Sequence, residues 1–134
     1  MTGARVEKVH ADRVRAREFL AQAERFSTDA DVAGLSTESR VVLLHNATIS
    51  ACDAILQAVG LRVTSGDGAH VLRIETALAQ LDEDTEELLE SLDASRERRN
   101  DASYAALFVA EASASDAREA TTELLELARS FIEA

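Results

Sequence analysis

Three arginines gather in the block Arg96-Glu97-Arg98-Arg99-Asn100-Asp101-Ala102-Ser103-Tyr104. A guanidinium can hold two phosphate or carboxylate oxygens at once, so Arg98 and Arg99 are the natural candidates for handling an oxyanion. Asn100 and Tyr104 are four residues apart and share one helix face, where an amide and a phenol can both hydrogen-bond one ligand. The block also has a plainer reading. Glu86, Glu87, Glu90 and Asp93 precede it, and acids early in a helix with arginines late complement the helix dipole and form pairs within the helix. Sequence alone leaves open whether Arg98 or Arg99 faces a cleft, because adjacent helical residues differ in direction by about 100°.

A second constellation is Asn46, Ser50, Asp53 and Gln57, spaced four, three and four apart and therefore aligned as a narrow polar stripe on one helix. The stripe is either a solvent-facing edge or the wall of a cleft against the fourth helix of the same or a second subunit. In the second case Asp53 can hold Arg98 or Arg99 by a bidentate contact. His10 reads as a surface residue of the first helix, and His45 as a partly buried imidazole bonded to a nearby carbonyl. His70 follows Gly66-Asp67-Gly68-Ala69. There it lines a pocket for a small anion or nucleotide or simply begins a helix capped by Asp67. No two histidines share helical spacing, so no metal site and no cofactor are expected. Cys52, in an alanine-rich segment without a positive neighbour, reads as a small buried hydrophobe.

The elements that position these groups follow from composition and periodicity. The chain has 134 residues, of which 46% are hydrophobic, with five aromatics, no Pro and no Trp. Twenty-five alanines suit closely packed helices and exclude an all-β fold. Helix 1 is expected over Arg5–Phe26 and helix 2 over Thr37–Val59, N-capped by Ser36 and ended by Gly60. A loop follows over Leu61–Gly68, then helix 3 over Ala69–Leu81 and helix 4 over Thr85–Ala106. A last helix is expected over Asp116–Ile132, capped by Ser113 or Ser115. Short connections predict a single all-α domain over residues 1–134, an antiparallel up-and-down bundle of about five helices.

Twenty-five acidic against 14 basic side chains give a net charge of −11. That balance argues against generic phosphate-backbone binding, which needs a basic excess. The charge is uneven: residues 1–25 hold six basic and four acidic groups, and the remainder eight and 21. The polar N-terminus and the lack of about 18 uninterrupted apolar residues predict no membrane association. One cysteine forms no intramolecular disulfide, and a cytoplasmic location is expected.

The order of elements resembles the HEPN superfamily of small, dimerising all-α domains. Asn46 through Gly60 (NATISACDAILQAVG) is similar to the alanine-rich second helix, and Gly66–Leu72 (GDGAHVL) to the Gly-rich turn with its His. Arg99-Asn100-Asp101-Ala102-Ser103-Tyr104 resembles the family's Arg-x4-6-His block, with Tyr104 at the His position. The resemblance implies a homodimer with a polar cleft. It also implies a role in a bacterial toxin-antitoxin, defence or stress system, through binding of RNA, a nucleotide or a cognate protein. The cleft residues it implies are Asn46, Ser50, Asp53, His70, Arg98, Arg99, Asn100 and Tyr104. In catalytic members the Arg and His promote attack of an RNA 2′-hydroxyl on the adjacent phosphate. A phenol titrating near 10 is a poor base at neutral pH, so the expected role is binding. The alternatives are a metal-independent endoribonuclease using Arg99 and Tyr104, and an antitoxin partner of a minimal nucleotidyltransferase.

Overall fold

The structure, a computed structural model, describes residues 3–104 and 111–134, with side chains described for all but 97–104 and 111. Among the described residues five helices and one two-stranded sheet follow in the order β1 (Val6–Lys8), α1 (Arg13–Asp29), α2 (Thr37–Val59), β2 (Leu61–Val63), α3 (Ala69–Ala79), α4 (Glu86–Tyr104) and α5 (Glu111–Glu133). The protein is thus predominantly helical, as its composition predicts.

Helix α2 is the hub. Val41, Leu44, Ala47, Ala51, Ala54, Ile55 and Leu56 are all buried, and the helix touches each of the other four. By length and composition α2 is apolar enough to cross a membrane, but most of it is buried within the domain. Its apolar character is that of a core helix packed on several sides. Ala16, Leu20 and Ala23 of α1, Ile74, Ala77 and Leu78 of α3, Leu88 and Leu92 of α4, and Leu124, Ala128 and Ile132 of α5 complete the core.

Both predicted boundaries of α2 are present. Ser36 Oγ accepts a hydrogen bond from Ser39 N at 3.1 Å, and Gly60 ends the helix in the left-handed region at φ +80°. The first helix differs from expectation. It starts at Arg13, with Asp12 as its N-cap accepting from Arg15 N at 3.0 Å, whereas Val6–Lys8 is a strand. The physical reason is non-local pairing with Leu61–Val63, expected as loop, in the antiparallel register Val6↔Val63, Glu7↔Arg62 and Lys8↔Leu61. Further main-chain bonds run from Ala4 N to Asp67 O (3.1 Å), Thr64 N to Arg5 O (2.9 Å) and Val9 N to Gly60 O (2.9 Å). Backbone groups that a helix would pair locally are satisfied here across the molecule. Glu7 also forms ion pairs with Arg5 and Arg62, which hold its carboxyl below the ordinary carboxylate range.

Two other boundaries shift. Asp67 does not cap α3, whose N-cap is Gly68 at φ +77° with no side-chain cap. Ser113 and Ser115 lie inside α5, which begins at Glu111. Ala114 and Ala117 are buried against α2 residues or Ala30, so packing carries the helix back past the local capping signals. The expected end of helix 4 at Ala106 lies outside the described residues.

Arginines lace α1 to α5. Arg13 donates to the Ile132 carbonyl, Arg129 pairs with Glu24, and Arg118 binds Ser27 Oγ and O, each at 2.7 Å, and Asp31 at 2.6 Å.

Gly60 carries a specific steric demand. A Cβ there would lie 2.6 Å from the Val9 carbonyl oxygen, on top of the cost of a side chain at positive φ. Gly60→Ala is expected to destabilise the protein by about 2–4 kcal/mol in urea unfolding. Gly34→Ala has a positive φ but open space around it, and it is expected to cost about 1 kcal/mol.

Candidate functional site

The polar stripe of α2 is not a solvent edge. Ser50 is buried, and Asn46, Asp53 and Gln57 are half-buried. Its recorded side-chain contacts run to α3 and to the segment preceding α1. His70 and Arg73, three residues apart on one face of α3, meet His45 and Asp53, two turns apart on α2.

The first of these contacts joins the two histidines. His45, only 3% exposed, places Nε2 3.3 Å from Nδ1 of His70, and the rings are tilted at 45° with centroids 5.1 Å apart. A hydrogen bond between these nitrogens needs one N–H and one lone pair. One ring therefore donates and the other accepts, according to tautomer. Deeper in the interior, Thr48 Oγ1 donates to Leu44 O at 3.0 Å and lies 3.4 Å from Thr121 Oγ1 of α5.

The second contact is an ion pair. Arg73 Nε lies 2.9 Å from Asp53 Oδ1, but its N–H is not aligned on the oxygen, which leaves this buried nitrogen without a well-directed acceptor. Among the described residues the cation at Asp53 is thus Arg73 of α3, and the expected pairing with Arg98 or Arg99 falls on side chains outside the described residues. Burial pushes the Asp53 carboxyl above its ordinary value, and the nearby Arg73 offsets only part of that rise. Cys52, fully buried beside it, has its thiol held strongly towards the protonated form by burial and by the Asp53 charge. It is chemically quiet in the folded protein.

The sequence-predicted residues therefore divide into two groups. Asn46, Ser50, Asp53 and His70 lie on the α2–α3 side of the domain, with Asp53 and His70 in cross-helix contacts. Arg98, Arg99, Asn100 and Tyr104 belong to the C-terminal half of α4, and their side chains lie outside the described residues. His10 is exposed in the extended segment before α1 rather than in a helix, and its carbonyl oxygen lies 3.5 Å from Gln57 Nε2. Among the described residues no group of three or more His, Cys, Asp or Glu can hold a metal ion.

Two surface features went unnoticed in the sequence. A cleft of about 380 Å³ between α1, α2, β2 and α3 is lined by Arg15, Phe19, Asp53, Gln57, Arg62 and Arg73, among others. A groove between α4 and α5, of about 540 Å³, carries Asp84, Glu87, Glu90, Asp116, Glu119 and Glu123. The acidic excess of residues 26–134 is visible in the sequence, but not the gathering of six carboxylates from α4, α5 and the turn before α4 onto one face. No family model, curated protein or solved structure matches the chain.

The raised Asp53 value fixes the sign of its pH dependence. Between the ordinary value of 3.8 and the raised folded value, the folded protein binds a proton that the unfolded chain does not. The stabilisation from Asp53 is therefore full below 3.8 and is lost as pH rises through the folded value. In denaturant titrations the stability of the wild type relative to Asp53→Asn is expected to be greater at pH 4 than at pH 7. An opposite trend would mean that Arg73 outweighs burial.

Proposed function

We propose that this chain is a HEPN-type binding module, homodimeric and cytoplasmic, that serves a bacterial toxin-antitoxin, defence or stress system without cleaving RNA itself. The observation that carries the reading is the way the α2–α3 side uses its ionisable groups. His45 is buried against His70, and Asp53 is held by Arg73. A general base must reach the proton it abstracts, and these groups serve instead as cross-links between helices. Tyr104 at the position where the resembling family carries His agrees with a binding role, because a phenol holds its proton at neutral pH.

The six-carboxylate groove of α4 and α5 favours a basic protein surface over RNA as the principal partner. A minimal nucleotidyltransferase fits that role, with the Tyr104 phenol oxygen taking the adenylyl group of a bound nucleoside triphosphate as pyrophosphate leaves and the phenolic proton passes to solvent. The cleft residues in this reading are Asn46, Ser50, His70, Arg98, Arg99 and Asn100, with Tyr104. Asp53 acts indirectly, by holding α3 in place.

The test is incubation of the purified protein with end-labelled tRNA and a structured RNA in the presence of EDTA, beside Arg99→Ala and Tyr104→Phe. Intact RNA at a large excess of protein is the expected result. Cleavage by the wild type that both substitutions abolish, with folding preserved by circular dichroism, would replace this reading with a metal-independent endoribonuclease.

A further inference from the structure

The cleft between α1, α2, β2 and α3 stands out electrostatically on a chain of net charge −11. Its lining brings together three arginines, Arg15, Arg62 and Arg73, against the single carboxylate of Asp53. Two of the three are held in ways that leave donors for a ligand. Arg15 forms no ion pair among the described residues, and its guanidinium lies over the Phe19 ring, 5.4 Å from the centroid. Arg73 is mostly buried, with Nε close to Asp53 yet not aligned on it. Arg62 stands at the exposed rim, paired with Glu7 of the neighbouring strand.

We propose that this cleft binds a small phosphorylated ligand, with its phosphate between the Arg15 and Arg73 guanidiniums and its apolar part against Phe19 and Leu61. A guanidinium offers several N–H donors in one plane, so a single oxygen of Asp53 does not saturate Arg73. A tetrahedral dianion supplies acceptors that the protein itself lacks there. The volume of about 380 Å³ lies at the lower end of the range for small-molecule sites. That size suits a mononucleotide rather than a polymer. Phe19 and Leu61 give such a ligand an apolar wall, while Gln57 adds an amide with both a donor and an acceptor. The overall negative charge does not forbid the contact, because charges beyond about 8–10 Å are largely screened at physiological salt whereas the arginines act at contact distance. The site lies apart from the α4 residues of the function proposed above, none of which lines this cleft, and shares only the Asp53–Arg73 pair with that reading.

The experiment is a titration of the full-length, 15N-labelled protein with AMP, using adenosine as the control without phosphate. AMP is expected to shift the Phe19, Gln57 and Leu61 amides saturably, with adenosine at least about tenfold weaker. Arg15→Gln, at an exposed position where folding is preserved, should weaken AMP about fivefold. Equal binding of AMP and adenosine, or no effect of Arg15→Gln, would overturn the proposal. So would a loss confined to Arg99→Ala, which would place the phosphate on α4.

Discussion

Small side chains on α2 set how closely everything else can approach. Ala47, Ala51, Cys52 and Ala54 are completely buried, and their short side chains let the neighbouring helices pack near the α2 backbone. Larger residues on those neighbours, Leu20, Ile74, Leu92 and Leu124, fill the space around it. With only five aromatic residues in the chain, the core gains its apolar burial from many modest contacts, each dependent on α2 being in place. The polar positions of the helix are subject to the same constraint. A side chain on so enclosed a cylinder either finds a partner on the next helix or leaves a buried polar group unsatisfied.

That constraint explains why α3 matters more than its eleven residues suggest. It begins just after the β2 turn and lies across α2, and its His70 and Arg73 reach the two ionisable groups of α2 that burial would otherwise penalise. The Asp53–Arg73 pair is not a simple gain in stability, since burial costs the carboxylate more than the arginine returns. Its effect is directional, fixing where α3 sits along α2. The same placement opens the arginine-lined cleft on one side, while the acidic groove lies away from it between α4 and α5.

Features governed by neighbouring residues were legible in the sequence. Ser36 and Gly60 each act through groups a few residues away, and both bound α2 where their chemistry indicates. The 3.6-residue periodicity likewise marked the five helices. Features created by distant pairing were not. Val6–Lys8 is three residues long, too short for strand alternation to stand apart from helical spacing, and only Leu61–Val63 makes it a strand. Helical spacing compares histidines within one helix, so it could not reveal that His45 and His70, 25 residues apart, meet across two. Asp53 offered the same difficulty: its carboxylate was recognisable as needing a cation, but the contact with Arg73 arises only where α3 packs on α2. The arginine-rich cleft drew its members from four separate elements, and no stretch of sequence contains it.

The lacing of α1 to α5 has a consequence for how the protein is made. Arg13, Glu24 and Ser27 near the beginning of the chain find their partners at Ile132, Arg129 and Arg118 near its end. During synthesis the apolar stripe of α1 and much of α2 therefore emerge from the ribosome well before the helix that covers them. Until the 23-residue α5 docks, the preceding helices form an open bundle in which one side of α2 is uncovered. Closure of the core is thus a long-range step, and the partly covered α2 face is the surface at risk of misassembly before α5 docks.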